Sequence, residues 1–216
     1  MLNSSCPLCL AKQCRFFHQD SRRSYYQCQC CSLVFADRGA VLSAQDELAQ
    51  YQLHQNDLND EGYRKFLQRL AGPLLQVLPA QGLSGLDFGC GPGPLLAKML
   101  TEAGQTVAVW DPYFAPDATV LQQQYHFICC SEAIEHFVNP AQEWALWLSL
   151  LKPGGTLAIM TKRYTTLEAF TGWHYKLDPT HVSFFSENTF RYLADRDNFE
   201  LDFVAADVVI LRHRKH

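Results

Sequence analysis

The stretch "LDFGCGPGPLLAKML", residues 86–100, decides the fold that we predict for this chain. A short apolar strand, "GLDF" at 85–88, leads into three closely spaced glycines, and an apolar helix follows from 94 to 100. Pro94 falls in the first turn of that helix, where its missing N–H is tolerated. A strand, a glycine-rich turn and a helix let the backbone approach a ligand closely. The stretch therefore predicts a ligand-binding turn.

The spacing of the glycines narrows the choice of ligand. The dinucleotide pattern G-x-G-x-x-G requires glycine at position 94, which is Pro94 here. The chain instead has D-x-G-x-G-x-G, formed by Asp87, Gly89, Gly91 and Gly93. An acid at this position repels a pyrophosphate and attracts an ammonium group. S-adenosylmethionine carries such a group and no phosphate, and is the ligand we expect.

A second acid follows at the distance that a ribose contact requires. The apolar segment "TVAVWD" ends at Asp111, about 20 residues beyond Gly89, where an acid can accept hydrogen bonds from both ribose hydroxyls. Further strands and helices alternate beyond it, which indicates an α/β fold: a Rossmann-like, mostly parallel sheet with helices on both faces. The remaining signals are a strand at 125–130, a helix after Asn139 with a capping box to Gln142, a stop at "KPGG" (152–155), a helix capped by Ser186, and an antiparallel C-terminal hairpin within 198–214.

One connection in this pattern is unusually short. Residues 112–124 are too few for the usual helix, strand and helix, because a parallel crossover alone takes a dozen or more residues. We therefore predict a sheet that is reduced after its second strand, without the usual edge strand beyond Asp111.

The N-terminal cysteines predict a separate metal unit. Cys6, Cys9, Cys28 and Cys31 form C-x2-C-x18-C-x2-C, the spacing of a zinc ribbon with two short aromatic strands between the pairs. Cys14 or Cys30 could replace one of these ligands, and ordinary free thiols are the alternative to a metal. A unit this small buries little surface, so structural zinc would supply much of its folding free energy.

The chain divides into three predicted parts. Residues 1–42 form the zinc ribbon, the polar segment 43–60 is a linker that could include a helical turn or two, and 61–216 form the ligand-binding domain. That domain opens with an amphipathic helix, which Gly72–Pro73 is expected to kink or divide.

Composition excludes several classes of partner. Hydrophobic residues make up 48% and charged residues 19% of the chain, as in ordinary globular proteins, and the net charge of −4 disfavours a nucleic-acid partner. There is no apolar segment long enough to cross a membrane and no signal peptide pattern. We expect a cytoplasmic protein with reduced cysteines.

Five motifs together resemble the successive signatures of class I S-adenosylmethionine-dependent methyltransferases: "LDFGCGPG", "VAVWDP", "FICCSEAIEHF", "LLKPGGTLAIMT" and "DPTHVSFFS". The resemblance covers about 61–205, and the N-terminal cysteine motifs are similar to zinc ribbons that precede some of these enzymes. It implies that the glycines approach the methionine part of the cofactor, that Asp87 fixes its polar end and that Asp111 holds the ribose. It further implies that Ser131, Glu132 and Ala133 line the transfer site and that Tyr63 closes over it.

Methyl transfer needs a positioned acceptor and, for a hydroxyl or amine, a base that accepts its proton. His136 and His181 are the candidate bases, and Asp178 could orient His181.

Three functions remain open. They are O-, N- or C-methylation of a small molecule, methylation of rRNA or tRNA bases with the ribbon gripping the RNA, and a non-catalytic zinc-dependent interaction module on a degenerate methyltransferase fold. The sequence leaves the acceptor atom and the oligomeric state open.

Overall fold

Two β-sheets organise the chain, whose computed structural model describes residues 5–53 and 60–214. Six α-helices lie in the described residues: α1 (Ala44–Tyr51), α2 (Glu61–Val77), α3 (Leu95–Glu102), α4 (Pro140–Leu150), α5 (Leu167–Thr171) and α6 (Glu187–Arg196). The strands are β1 (Cys14–Gln19), β2 (Ser24–Cys28), β3 (Val34–Ala36), β4 (Ser84–Phe88), β5 (Thr106–Trp110), β6 (Tyr125–Ser131), β7 (Leu151–Met160), β8 (Ser183–Phe184), β9 (Phe199–Phe203) and β10 (Val208–His213).

The central sheet has the predicted architecture. Its strand order is β5-β4-β6-β7-β10-β9, in which the first four strands are parallel and the β9–β10 hairpin is antiparallel. Alternate residues of each strand face opposite sides, so Phe127 and Cys129 belong to one core while Ile128 and Cys130 belong to the other. Helices α2 and α3 cover the first side, and α4 and α6 cover the second. The prediction of an α/β sheet with helices on both faces is confirmed.

The sheet also ends where the sequence predicts. Between β5 and β6, residues 112–124 form one 3₁₀ helix at Ala118–Gln122 and no strand that extends the sheet, so β5 is the edge of the central sheet. The reduced sheet is therefore confirmed.

The second, N-terminal sheet has the strand order β1-β2-β3-β8. Three of its strands come from the first 42 residues, and β8 comes from the segment just before α6. Val34 pairs with Phe184 and Phe35 with Ser183, and an aromatic cluster around Phe170 fills the space beneath. The two predicted aromatic strands are present, and a strand from far along the chain joins them.

The structure adds detail to two predictions for the region before the central sheet. Residues 44–51, predicted as linker, form α1, in which the Ser43 hydroxyl accepts from the Asp46 amide at 3.2 Å; residues 54–59 of the predicted linker lie outside the described residues. Helix α2 continues through Pro73 instead of dividing, because Leu70, Ala71 and Leu74 bury it against the sheet on both sides of the proline.

Three local predictions also differ from the structure. Helix α3 begins at Leu95, with Pro94 at the capping position before the first turn. Asn139 precedes α4 but its side chain makes no capping bond, because the Ala141 amide donates instead to the Pro7 carbonyl, 3.1 Å away, in the N-terminal segment. "KPGG" lies within β7 as a bulge, since Tyr125 pairs with Leu151 while Phe127 pairs with Thr156.

No helix among residues 5–53 and 60–214 has the length and apolar character needed to cross a membrane.

A buried arginine ties the N-terminal sheet to the segment that precedes β8. Arg23 is 8% exposed, and its guanidinium donates to the carbonyls of Lys176 (2.7 Å), Asp178 (2.7 Å) and Pro179 (3.1 Å). Its Nε also donates to the Tyr25 hydroxyl at 2.9 Å. One forked cation therefore satisfies three carbonyls of the segment that leads to His181.

We predict that Arg23→Ala lowers the free energy of unfolding by about 3 kcal/mol, because it leaves buried carbonyls without donors. The same change should speed hydrogen exchange in residues 174–182. Denaturant unfolding and hydrogen exchange measure these effects. The matched control is Arg22→Ala, since the side chain of exposed Arg22 donates to a single carbonyl among the described residues, that of Leu177. Equal effects of the two substitutions would contradict the prediction.

Candidate functional site

A cavity of about 520 Å³ opens at the carboxyl ends of β4, β5 and β6. This volume lies in the range typical of small-molecule sites, and the edge at which parallel strands end is where such folds bind ligands. The cavity is lined by all nine residues predicted to bind the cofactor: Tyr63, Asp87, Gly89, Gly91, Gly93, Asp111, Ser131, Glu132 and Ala133. His136, Asp178 and His181 line it too, so the structure brings every predicted residue of the ligand site together.

The glycine turn after β4 needs glycine for two reasons. Gly89 and Gly91 have φ angles of +76° and +63°, a region that side chains disfavour. A Cβ at Gly89 would also lie 2.6 Å from the Cβ of Ala133. The Gly89 amide donates to the Trp110 carbonyl at 2.8 Å, which fastens the turn to the end of β5. The bare backbone of the turn therefore forms one wall of the cavity.

Asp87 is a buried carboxyl group without a cationic partner among the described residues. It is 2% exposed, and the Cys129 thiol lies 3.8 Å from its Oδ1. Burial raises the pKa of Asp87 to about 7. A positively charged ligand group in the cavity would relieve this unpaired charge.

Asp111 organises the end of β5 through both carboxylate oxygens. Its Oδ1 accepts from the amides of Tyr113 (2.9 Å) and Phe114 (3.0 Å), and its Oδ2 accepts from the Gly91 amide (3.0 Å). A carboxylate oxygen has two acceptor positions, so Oδ2 keeps one free.

Glu132 and Glu135 lie close together after β6. The Tyr175 hydroxyl donates to Oε1 of Glu135 and lies 3.4 Å from Oε2 of Glu132, while the Thr161 hydroxyl donates to Oε2 of Glu135 at 2.8 Å. Oε1 of Glu132 is buried with no hydrogen-bond partner among the described residues. Burial and the charge of Glu135 raise the pKa of Glu132 to about 8. Sequence reasoning missed Glu135, although its position beside His136 was a signal.

The two predicted histidines face each other across the same end of the cavity. The ring centroids of His136 and His181 are 4.7 Å apart. His181 places Nδ1 2.7 Å from the Tyr175 carbonyl, whereas its Nε2 is 3.8 Å from Asp178, whose carboxylate instead accepts from Thr180. The carbonyl, and not Asp178 as predicted, orients His181. Burial lowers the pKa of His181, so its imidazole is neutral near pH 7.

Helix α1 covers part of the cavity, a role that the prediction of a linker over residues 43–60 did not include. Glu47 and Tyr51 line the cavity, and the Glu47 carboxylate accepts from the hydroxyls of Tyr51 and Tyr113, both at 2.7 Å. The Tyr51 ring also contacts His136, with centroids 5.2 Å apart. The serine cap of α1 was the available sequence signal.

The four predicted metal ligands cluster on the N-terminal sheet. The sulfurs of Cys6, Cys9, Cys28 and Cys31 all lie within 4.8 Å of one another. Each pair sits on the same kind of turn: the residue after it, Leu10 or Ser32, has a φ near +60° and donates to the carbonyl of the first cysteine.

The other two cysteines of this region lie outside the cluster. Cys14 directs its thiol to the Ala11 carbonyl, 3.7 Å away, and Cys30 is exposed with its thiol 3.1 Å from Gln13. The geometry therefore favours Cys31 over Cys30, and excludes Cys14 from the set.

Comparison with known proteins identifies the family to which this fold belongs. A family model described as "Methyltransferase domain" matches residues 54–203. No curated protein matches the chain.

Solved methyltransferase structures share the fold at low sequence identity. The 1,6-didemethyltoxoflavin-N1-methyltransferase of Burkholderia thailandensis, with bound 1,6-didemethyltoxoflavin and S-adenosylhomocysteine, has a TM-score of 0.53 and 17% identity, covering 93% of this chain and 99% of that one. The magnesium protoporphyrin IX methyltransferase of Synechocystis, with bound S-adenosylmethionine, has a TM-score of 0.50 and 14% identity over 80% and 92% of the two chains.

Proposed function

The chain belongs to the methyltransferase-domain family and is an S-adenosylmethionine-dependent methyltransferase, and we propose that its methyl acceptor is a small molecule. The observation that carries the proposal is the cavity itself, of about 520 Å³, which joins the glycine turn to the two histidines. Helix α1 partly covers it, and no lysine or arginine lines it among the described residues. A nucleic-acid substrate requires basic contacts to its phosphates, so the lining favours a small acceptor over RNA.

The residues at the glycine-turn end fit the cofactor. When bound, S-adenosylmethionine supplies a methyl group activated by its sulfonium. We assign Asp87 to the ammonium end of the cofactor, since this buried carboxyl lacks a cationic partner, and the turn Gly89–Gly93 to the methionine part. Asp111 would hold the ribose through the free position of Oδ2, which accommodates one hydroxyl instead of the expected two.

At the other end, His136 and His181 would act on the acceptor. A neutral imidazole can accept the proton of a hydroxyl or amine as the new bond to carbon forms. Oriented by the Tyr175 carbonyl, His181 carries its proton on Nδ1 and leaves Nε2 free. The Burkholderia enzyme, alike in fold, binds 1,6-didemethyltoxoflavin, which is a small acceptor of the proposed kind.

The proposal is tested by incubating zinc-replete protein, methyl-labelled S-adenosylmethionine and a cell extract, with and without ribonuclease. We expect label in the small-molecule fraction that ribonuclease leaves unchanged. Label in RNA that ribonuclease removes would establish the nucleic-acid alternative. The match to the methyltransferase-domain family supports an enzyme over the non-catalytic alternative.

We predict that cofactor affinity depends on the charge of Asp87. Its pKa is about 7 without ligand, and the carboxylate form binds an ammonium, so affinity should fall as pH drops below that value. Between about pH 7.5 and pH 6.0 the dissociation constant should rise roughly tenfold. Titration calorimetry with S-adenosylmethionine measures it.

Asp87→Asn should bind weakly at every pH and lose this dependence. Asp117→Asn, an exposed acid outside the cavity, is the matched control and should keep it. A flat pH profile in the unsubstituted protein would show that Asp87 does not meet the cofactor's charge.

We further propose that Cys6, Cys9, Cys28 and Cys31 hold a structural zinc ion. Tetrahedral Zn–S bonds of about 2.3 Å place sulfurs roughly 3.8 Å apart. The thiols of Cys6 and Cys31 are 3.5 Å apart and those of Cys9 and Cys28 are 3.4 Å apart, so little movement would close the site. Thiolate ligands require reduced cysteines, which supports a cytoplasmic location.

Removing one ligand pair should abolish zinc binding. The Cys6→Ser/Cys9→Ser variant should fall from about one zinc per chain to nearly none, because two thiolates cannot hold the ion against a chelator. Elemental analysis after dialysis against chelator measures the content. Cys30→Ser should keep its zinc as the matched control, and stoichiometric zinc in the double variant would refute the ligand set.

A further inference from the structure

Three potential metal ligands meet at the acceptor end of the cavity. Glu135, His136 and His181 can each place one ligand atom such that all three atoms lie within 4.8 Å of one another. They come from two segments, the turn after β6 and the loop before β8, and all three line the cavity. We propose that they bind a divalent cation, at a site distinct from the four cysteines.

Neighbouring groups hold two of these ligands in place. A carbonyl can only accept, so the 2.7 Å contact of His181 Nδ1 with the Tyr175 carbonyl puts the proton on Nδ1 and leaves Nε2 as a donor to metal. The Glu135 carboxylate accepts from the hydroxyls of Thr161 and Tyr175. Outer hydrogen bonds of this kind orient the ligands of established metal sites.

The third ligand, His136, has a ring nitrogen without a hydrogen-bond partner, and a cation would satisfy it. Nδ1 of His136 is buried and has no hydrogen-bond partner among the described residues, and Oε1 of nearby Glu132 is in the same condition. Buried polar atoms without partners are uncommon in folded proteins. Two such atoms beside one cluster of ligands indicate a missing positive group.

The charge of the cavity lining also indicates a missing positive group. No lysine or arginine among the described residues lines the cavity, whereas seven carboxyl-bearing side chains do. These are Glu47, Asp87, Asp111, Glu132, Glu135, Glu143 and Asp178. The cofactor's ammonium meets the Asp87 end. Lys162, whose charge acts on Glu132, does not line the cavity, so no cationic side chain of the described residues lies within the cavity among the carboxylates around the histidines. A dication there would supply the missing positive charge.

The donor set indicates the kind of ion. Two imidazoles and one carboxylate suit first-row divalent metals such as Mn²⁺, Fe²⁺ or Zn²⁺ better than Ca²⁺ or Mg²⁺, which prefer oxygen alone. Three protein ligands leave coordination positions open to another molecule. The site therefore has room for an atom of the acceptor.

This inference rests on the proposed small-molecule acceptor and replaces the base role given to His136 and His181 above. It names the acceptor class as a hydroxyl compound. A hydroxyl beside a dication loses its proton to water more readily. Its oxygen then forms the C–O bond as the carbon–sulfur bond breaks, and the electron pair of that bond stays on sulfur. The histidines would then serve as ligands and not as the base.

The experiment first dialyses zinc-loaded protein against chelator, so that only zinc on the four cysteines is retained, and then titrates it with Mn²⁺ and follows binding by electron paramagnetic resonance. We expect one Mn²⁺ per chain, and at least tenfold weaker binding in Glu135→Gln, His136→Ala and His181→Ala. His174→Ala is the matched control, because His174 is exposed and contacts Lys162 away from the cavity. Unchanged binding in the three ligand variants would overturn the proposal.

A second measurement needs no variant. Electron spin echo envelope modulation of Mn²⁺ in the unsubstituted protein should show nitrogen coupling from imidazole, and its absence would place the ion on surface carboxylates and overturn the site. Calorimetry with S-adenosylmethionine runs in parallel. Cofactor binding without a Mn²⁺ site would reject this inference alone, whereas RNA labelling in the extract assay would reject the small-molecule proposal alone.

Discussion

The pairing of β3 with β8 is the contact on which the acceptor end of the site depends. β8 has two residues, too few to hold their own position, and they pair with Phe35 and Val34 of the N-terminal sheet. The adjacent Val182 carbonyl accepts from Ala36 at 2.9 Å, and the Val182 amide donates to the Glu135 carbonyl at 2.9 Å. A continuous chain of backbone bonds thus runs from the N-terminal sheet to the turn that carries Glu135. His181, one residue earlier, is held by the same chain, so the cysteine-bearing unit supports the wall of the cavity that faces the acceptor.

The two ends of the cavity differ in their charged groups. At the end near β4, burial raises the pKa of Asp87, which has no cationic partner among the described residues, and this favours a ligand that brings a positive charge. At the end near β8, two acids share the Tyr175 hydroxyl, and the neutral His181 sits beside them. Carboxylates this close repel one another unless a proton or a cation lies between them. One cavity therefore presents two sites with different demands for positive charge.

The features that were predicted from sequence are those that depend on local spacing. The turn at Gly89–Gly93 follows from glycines that must adopt positive φ, and the missing edge strand follows from the length of 112–124. The features that were missed depend on distant contacts. The Asn139 side chain does not cap α4, because the Ala141 amide donates to the carbonyl of Pro7, which is far away in sequence. Nothing in the sequence distinguishes Glu47 from an ordinary surface acid. Its position at the cavity depends on the hydrogen bonds that it accepts from two tyrosine hydroxyls.

The reduced sheet and helix α1 are physically linked. Without a strand beyond β5, the aromatic residues that follow it, Tyr113 and Phe114, have no further sheet to pack against. Helix α1 takes that space: Glu47 accepts from Tyr113, and Tyr51 packs against the same ring with centroids 5.7 Å apart. Burial and the Glu47 carboxylate raise the pKa of Tyr113 to about 12, so its hydroxyl remains a donor at neutral pH and keeps the helix fastened. A segment that precedes the ligand-binding domain in sequence thus encloses the side of the cavity that the shortened crossover leaves open.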